Sequence, residues 1–182
     1  MNEIASRGQL RLSFLRWAMV VVPSIEFFGF ASGLAANSGP GNPWYDTLLK
    51  PDFMPPSWAF GAVWPVLYLL IGIALSIVLN ARGAPGRGLA VTLFLVQLVC
   101  NFLWSPLFFG WHEAALAFYL LLVILALSLV TTLLFARIRR AAALLMLPYL
   151  AWLAFASLLA QQVHSLNPDA ESLVPPAAHT QI

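Results

Sequence analysis

Four residues of one apolar segment, Gln97, Asn101, Trp104 and Phe108, are spaced i, i+4, i+7 and i+11. In a helix that spacing puts two amides and two aromatic rings on one face. Amide side chains offer both donors and acceptors, so the face can orient a ligand bearing carboxylates or carbonyls. The same residues serve interhelical hydrogen bonding in a membrane, and spacing alone leaves both readings open. Two further segments repeat the theme, one with Gly61, Trp64, Tyr68 and Gly72, the other with Tyr149, Trp152 and Ala156. A small residue beside a large ring leaves a gap that another flat group fills. Glu26 is the one acid deep in an apolar run. An intramembrane carboxylate is a functional flag by default, with three options: a helix partner, a retained proton, or a wet cavity.

The elements that position these residues follow from composition. The 182 residues are 61% hydrophobic and 9% charged, with a mean hydropathy of +0.85. A soluble domain carries about 25% charged residues, so a soluble enzyme or free nucleic-acid binder is excluded. A membrane helix takes roughly 20 residues, and uninterrupted apolar runs at 17–36, 58–79, 88–110, 114–136 and 141–163 fill the chain. The expected fold is all-α, an integral membrane bundle of five transmembrane helices (17–163). A leader, 1–16, precedes it, and a polar, mobile C-terminal tail, 164–182, follows.

Basic residues orient such a bundle, because short cytoplasmic loops hold an excess of Lys and Arg. Arg7, Arg11, Arg16, Arg82, Arg87, Arg137, Arg139 and Arg140 fall on one side of five spans and only Lys50 on the other. The N-terminus is therefore expected in the cytoplasm and the C-terminus opposite. Three arginines, an apolar run and the small residues 31–36 imitate a secretory signal, but Pro23 and Glu26 inside the run weigh against cleavage.

Trp17, Trp58 and Trp111 fit an interfacial belt; Trp64, Trp104 and Trp152 fit it poorly. Pro65, Pro106 and Pro148 interrupt three spans, bending them and freeing carbonyls. Gly29 and Gly33 form a GxxxG pattern that serves either intrachain packing or a dimer contact. The first connection, 37–57, exceeds an ordinary helix connection. Prolines at 43, 51, 55 and 56 stiffen it, and Trp44, Tyr45 and Phe53 give it an apolar underside, so it reads as a lid or as an interfacially anchored connector. HExxH, paired-cysteine, phosphate-loop and GxSxG motifs are all missing. Cys100 is alone, and neither a metal site nor a bound cofactor is expected.

From about Pro23 to Asn167 the sequence resembles the tryptophan-rich sensory protein and translocator protein family, TspO/MBR. The blocks are Trp44-Tyr45 with Lys50-Pro51 and Pro55-Pro56-x-Trp58, then Val63-Trp64 with Leu67-Tyr68. They continue with Gln97-Leu98, Asn101, Trp104, Pro106 and Phe108-Phe109-Gly110, and end with Pro148-Tyr149 and Trp152. The resemblance implies a five-helix membrane protein, often a homodimer, whose first loop closes as a lid over a cavity that binds porphyrins such as protoporphyrin IX. By position the pocket would comprise Trp44, Tyr45, Trp64, Gln97, Asn101, Trp104, Tyr149, Trp152 and Ala156. Some members are described as promoting light- and oxygen-dependent porphyrin breakdown, for which Trp44 and Trp152 would be the redox-active candidates.

Three departures stand out. Ala160 replaces an asparagine common in the last span, Phe53 replaces a common tryptophan, and no Lys or Arg follows Arg140. The last removes the sterol motif of animal members and weighs against sterol binding. The expected function is tetrapyrrole binding with a sensory role. Porphyrin degradation is the alternative, and transport comes last for want of an inverted repeat.

Overall fold

A computed structural model describes residues 7–173. It consists of helices α1 (Arg7–Ala35), α2 (Pro43–Thr47), α3 (Ser57–Asn80), α4 (Arg87–Ser105), α5 (Ala114–Ile138) and α6 (Arg140–Leu166). Five of these, α4 together with its continuation to Gly110, are long and apolar enough to cross a membrane. The all-α, five-span expectation holds. Helix α1 begins ten residues before the expected first span, because 8–16 contains good helix formers and no proline. Most of the expected leader is thus the first turns of α1, while 1–6 lie outside the described residues.

The long helices alternate in direction and form a ring. Helix α1 packs on α3, α3 on α6, α6 on α5 and α5 on α4, with a lighter contact from α4 back to α1. Close approach of α1 to α3 depends on glycine. A Cβ at Gly72 would lie 2.9 Å from Val22 Cγ2, and one at Gly29 would penetrate the Tyr68 ring. Gly29 therefore serves intrachain packing, and Gly33 faces inward. The lighter α1–α4 contact is pinned by Ser32, whose hydroxyl donates to the Phe102 carbonyl. Pro106, four residues on, has no N–H to offer that carbonyl.

At Pro106 the helix widens into a π-helical turn, Pro106–Gly110, closed by Trp111 N–H donating to Pro106 O at 2.9 Å. Such turns redirect side chains and often mark functional sites. Here the turn presents Phe108 and Phe109 to the first loop and to Trp104. The chain order places the first loop, this turn and the segment after α6 at one end of the bundle, the loop end. Arg11, Arg16, Arg82, Arg87, Arg137, Arg139 and Arg140 belong to the other, the arginine end.

Candidate ligand cavity

The loop-end halves of α1, α3, α4 and α6 enclose a cavity of about 890 Å³. That is within the range of about 300–1,000 Å³ typical of ligand pockets. Helix α3 contributes Phe60, Trp64 and Tyr68, α4 contributes Asn101 and Trp104, and α6 contributes Trp152 and Ala156. Glu26 and Gly33 of α1 form the opposite wall, and Tyr45, Asp46 and Lys50 of the first loop border the mouth.

The aromatic walls are braced. The Trp104 and Phe108 rings stack at 5.2 Å and 7°, one helical turn apart, and Trp104 Nε1 donates to Ala117 O at 3.1 Å. Trp64 lies tilted on Tyr68 at 5.2 Å, and Trp152 meets Phe60 edge-on at 5.7 Å. Trp152 differs in one respect: its Nε1 is buried without a hydrogen-bond partner. A buried unpaired donor costs roughly 1–3 kcal/mol, and no acceptor for this one is found among the described residues.

A four-helix polar chain closes the inner side. Tyr68 Oη donates to Asn101 Oδ1 (2.9 Å), Asn101 Nδ2 to Tyr149 Oη (3.1 Å), and Tyr149 Oη to Gln97 Oε1 (2.8 Å). Ser128 of α5 donates to the same Gln97 oxygen at 3.1 Å. Gln97 and Tyr149 are fully buried behind the wall, and only Tyr68 and Asn101 of this chain reach the cavity. The question left open by spacing divides residue by residue. Gln97 is an interhelical tie, and Asn101 is both a tie and a wall residue.

The first loop is fastened at two asparagines. Asn42 caps α2, its Oδ1 accepting from Tyr45 N–H (3.0 Å), while its Nδ2 donates to Asn37 O and to Phe109 O (3.1 Å). Asn167 grips Leu49 from both sides: Leu49 N–H donates to Oδ1 at 2.8 Å and Nδ2 donates to Leu49 O at 2.9 Å. Trp44 is fully buried between these ties. It stacks on His112 at 4.7 Å and its Nε1 donates to Ala170 O at 2.8 Å. Within the expected polar tail, Asn167 and Ala170 are thus buried and tied to the first loop, while 174–182 lie outside the described residues. Lys50 Nζ donates to Tyr45 O (2.8 Å) and Leu48 O and sits 4.4 Å above the Tyr45 ring. Burial, with a smaller contribution from Asp46, pushes the Tyr45 phenol above its ordinary value, keeping it a neutral donor.

Of the nine residues expected at the pocket, the structure gathers six on one cavity wall: Tyr45, Trp64, Asn101, Trp104, Trp152 and Ala156. The other three are not on it. Trp44 is sealed beneath the loop by its stack on His112, and Gln97 and Tyr149 stand behind Asn101. Asn42 and Asn167 were missed as functional positions. Both open Asn-Pro pairs, a turn signal that could have found them.

A five-helix membrane bundle with an aromatic, amide-bearing cavity bordered by its first loop defines the class. The chain belongs to the TspO/MBR family, whose model matches residues 19–166, and is a multi-pass integral membrane protein. It is 40% identical to the tryptophan-rich protein TspO of Chlorobaculum tepidum over 142 residues, covering 77% of this chain and 89% of that protein. It is 38% identical to protein CrtK of Rhodobacter capsulatus over 127 residues (69% and 79%) and 37% identical to the human translocator protein over 123 residues (66% and 73%).

Proposed function

We propose that the protein binds a protoporphyrin IX-like tetrapyrrole in this cavity and acts as a membrane sensor of porphyrin status, with the first loop as its lid. Family membership supports the coarser role; one relative, from Cereibacter sphaeroides, is named tryptophan-rich sensory protein. The observation that carries the finer reading is the wall itself. Trp64, Trp104 and Trp152 surround a space of ligand size, and Trp152 Nε1 lacks an acceptor. Indole faces stack on a flat macrocycle, the Trp152 N–H and the Asn101 amide address its polar groups, and Lys50 stands at the mouth for propionates. Occupancy would be reported through the loop, because Tyr45 and Lys50 border the cavity while Leu49 is held by Asn167. The arginine end faces the cytoplasm in this reading, following the positive-inside rule, and the family's homodimer is its expected assembly.

The test is a titration of the detergent-purified chain with protoporphyrin IX. Tryptophan fluorescence should quench saturably at about one ligand per chain, one cavity per bundle, and absence of saturation refutes the pocket. One observation bears on photo-oxidative breakdown: of its two candidates, Trp152 lines the cavity and Trp44 is buried away from it. Illumination in air should therefore convert bound porphyrin through Trp152 alone, if at all. Conversion that survives Trp152→Phe removes that role.

A further inference from the structure

Glu26 is the one acidic residue on the cavity wall formed by the long helices. It lies near the middle of α1, one turn before Gly29, the glycine on which the Tyr68 ring packs. Its neighbours Phe27 and Phe28 point outward, 66% and 57% exposed, whereas Glu26 is part of the cavity wall. A carboxyl group at mid-span is costly, and such groups normally face the bundle interior or a cavity and pair with another group there. Glu26 has neither a hydrogen bond nor an ion pair among the described residues.

The two other charged wall residues differ. Asp46 Oδ2 accepts from Gly41 N–H at 3.0 Å, and Lys50 is held by two carbonyls. Both belong to the loop at the mouth. Glu26 lies nine residues before the end of α1, about 14 Å deeper at 1.5 Å per residue. The cavity therefore has one charged group of each sign at its entrance and a carboxyl group without a partner deeper in. Where a local rule is broken with no compensation inside the chain, function is the expected reason.

We propose that Glu26 is a ligand-recognition residue whose partner arrives with the occupant: it accepts a hydrogen bond from, or pairs with, a nitrogen-borne N–H of the ligand. Resting on the tetrapyrrole reading, this narrows the occupant to an amphoteric molecule whose N–H core lies face-on to Glu26 while its carboxylates point outward toward Lys50. A flat acid without nitrogen satisfies only the outer half. The amide wall does not supply this selectivity, because Asn101 offers a donor and an acceptor at once, whereas an ionised carboxylate only accepts.

The experiment compares two probes on the full-length protein in nanodiscs by calorimetry: free-base protoporphyrin IX, and pyrenebutyrate, a flat aromatic acid with no nitrogen. Glu26→Gln is nearly isosteric and removes the charge without opening a void. A hydrogen bond to a charged group is worth about 1.5–3 kcal/mol, so protoporphyrin IX should bind the variant about ten- to a hundredfold more weakly. Pyrenebutyrate should bind both proteins within about twofold. The visible bands of bound protoporphyrin IX, which report on its N–H core, should shift on binding to the wild-type protein and lose that shift in the variant. Protoporphyrin affinity unchanged in Glu26→Gln overturns the proposal while leaving the cavity reading intact, and so does an equal loss for both probes. Failure of the wild-type protein to bind either probe overturns the cavity reading and this proposal with it.

Discussion

The two halves of the bundle are built from the same helices and differ in everything but hydropathy. Toward the arginine end, Ile71, Ala74 and Val78 of α3, Phe94 of α4, Phe135 of α5 and Met146 of α6 are fully buried against one another. Phe94 and Phe135 stack at 5.7 Å and 11°, and alanines at 74, 90 and 142 let the neighbouring backbones close in. Toward the loop end, bulky rings are paired along or between helices, Trp64 with Tyr68 and Trp104 with Phe108, and these propped walls enclose a cavity. Pro65, Pro106 and Pro148 all lie within or at the border of this hollow half. Alanines between uninterrupted turns let one half close; rings propped on one another beside interrupted turns leave a space in the other.

The contrast implies that substitutions in the packed half act on stability and those in the hollow half on binding. The largest expected effect is Phe135→Ala. The side chain is fully buried and its stacking partner cannot follow it, so a loss of about 3–5 kcal/mol is expected for a void of this size. Detergent-denaturation midpoints should fall accordingly, while the protein that remains folded binds protoporphyrin IX with wild-type affinity. A weaker ligand affinity with an unchanged midpoint would erase the distinction between the halves.

An intermediate effect is expected at the seam between the hollow half and the first loop. Asn167→Ala removes both hydrogen bonds to Leu49 and leaves that residue's N–H and C=O without their partner, at a cost of about 1–3 kcal/mol. Because the tie joins the first loop to the segment after α6 and not the helices to each other, the loss should be local. Amide exchange at Leu49 should rise by more than tenfold, and proteolysis in 36–56 should accelerate, with little change in the global midpoint. Uniform acceleration across α3 to α6 would instead make the loop an integral part of the core.

How much of this was readable in the residues depends on what kind of signal each feature leaves. The five spans are a one-dimensional property of hydropathy and length, and the structure reproduces them. The start of α1 at Arg7 was lost because a polar helix extension carries no hydropathy signal. On the cavity wall, i, i+3, i+7 spacing correctly put Asn101, Trp104 and Phe108 on one face. A further i, i+4 step to Asn101 put Gln97 there too, one turn deeper. Depth along the face, which separates a tie from a wall residue, is set by where α6 brings Tyr149 against it, and helical periodicity holds no such information. Trp44 shows the same failure from the other side: an aromatic loop residue near a cavity reads as a contact, yet the partner that buries it, Ala170 O, lies 126 residues away.

The smallest effect is the most diagnostic. Trp152→Phe keeps an aromatic ring in the wall and deletes an indole N–H that has no acceptor among the described residues. In the packed half, truncating a buried side chain forfeits contacts the fold depends on. Here the folded state loses nothing polar and sheds an unsatisfied donor, so the denaturation midpoint should stay level or rise slightly. A neutral hydrogen bond to the ligand is worth about 0.5–1.5 kcal/mol, so protoporphyrin IX affinity should fall roughly two- to twelvefold. Stability and affinity would then move in opposite directions on a single substitution, as expected of a donor that the fold leaves free for an occupant. A drop in the midpoint with no change in affinity would place Trp152 with Phe135, as a packing residue of the bundle.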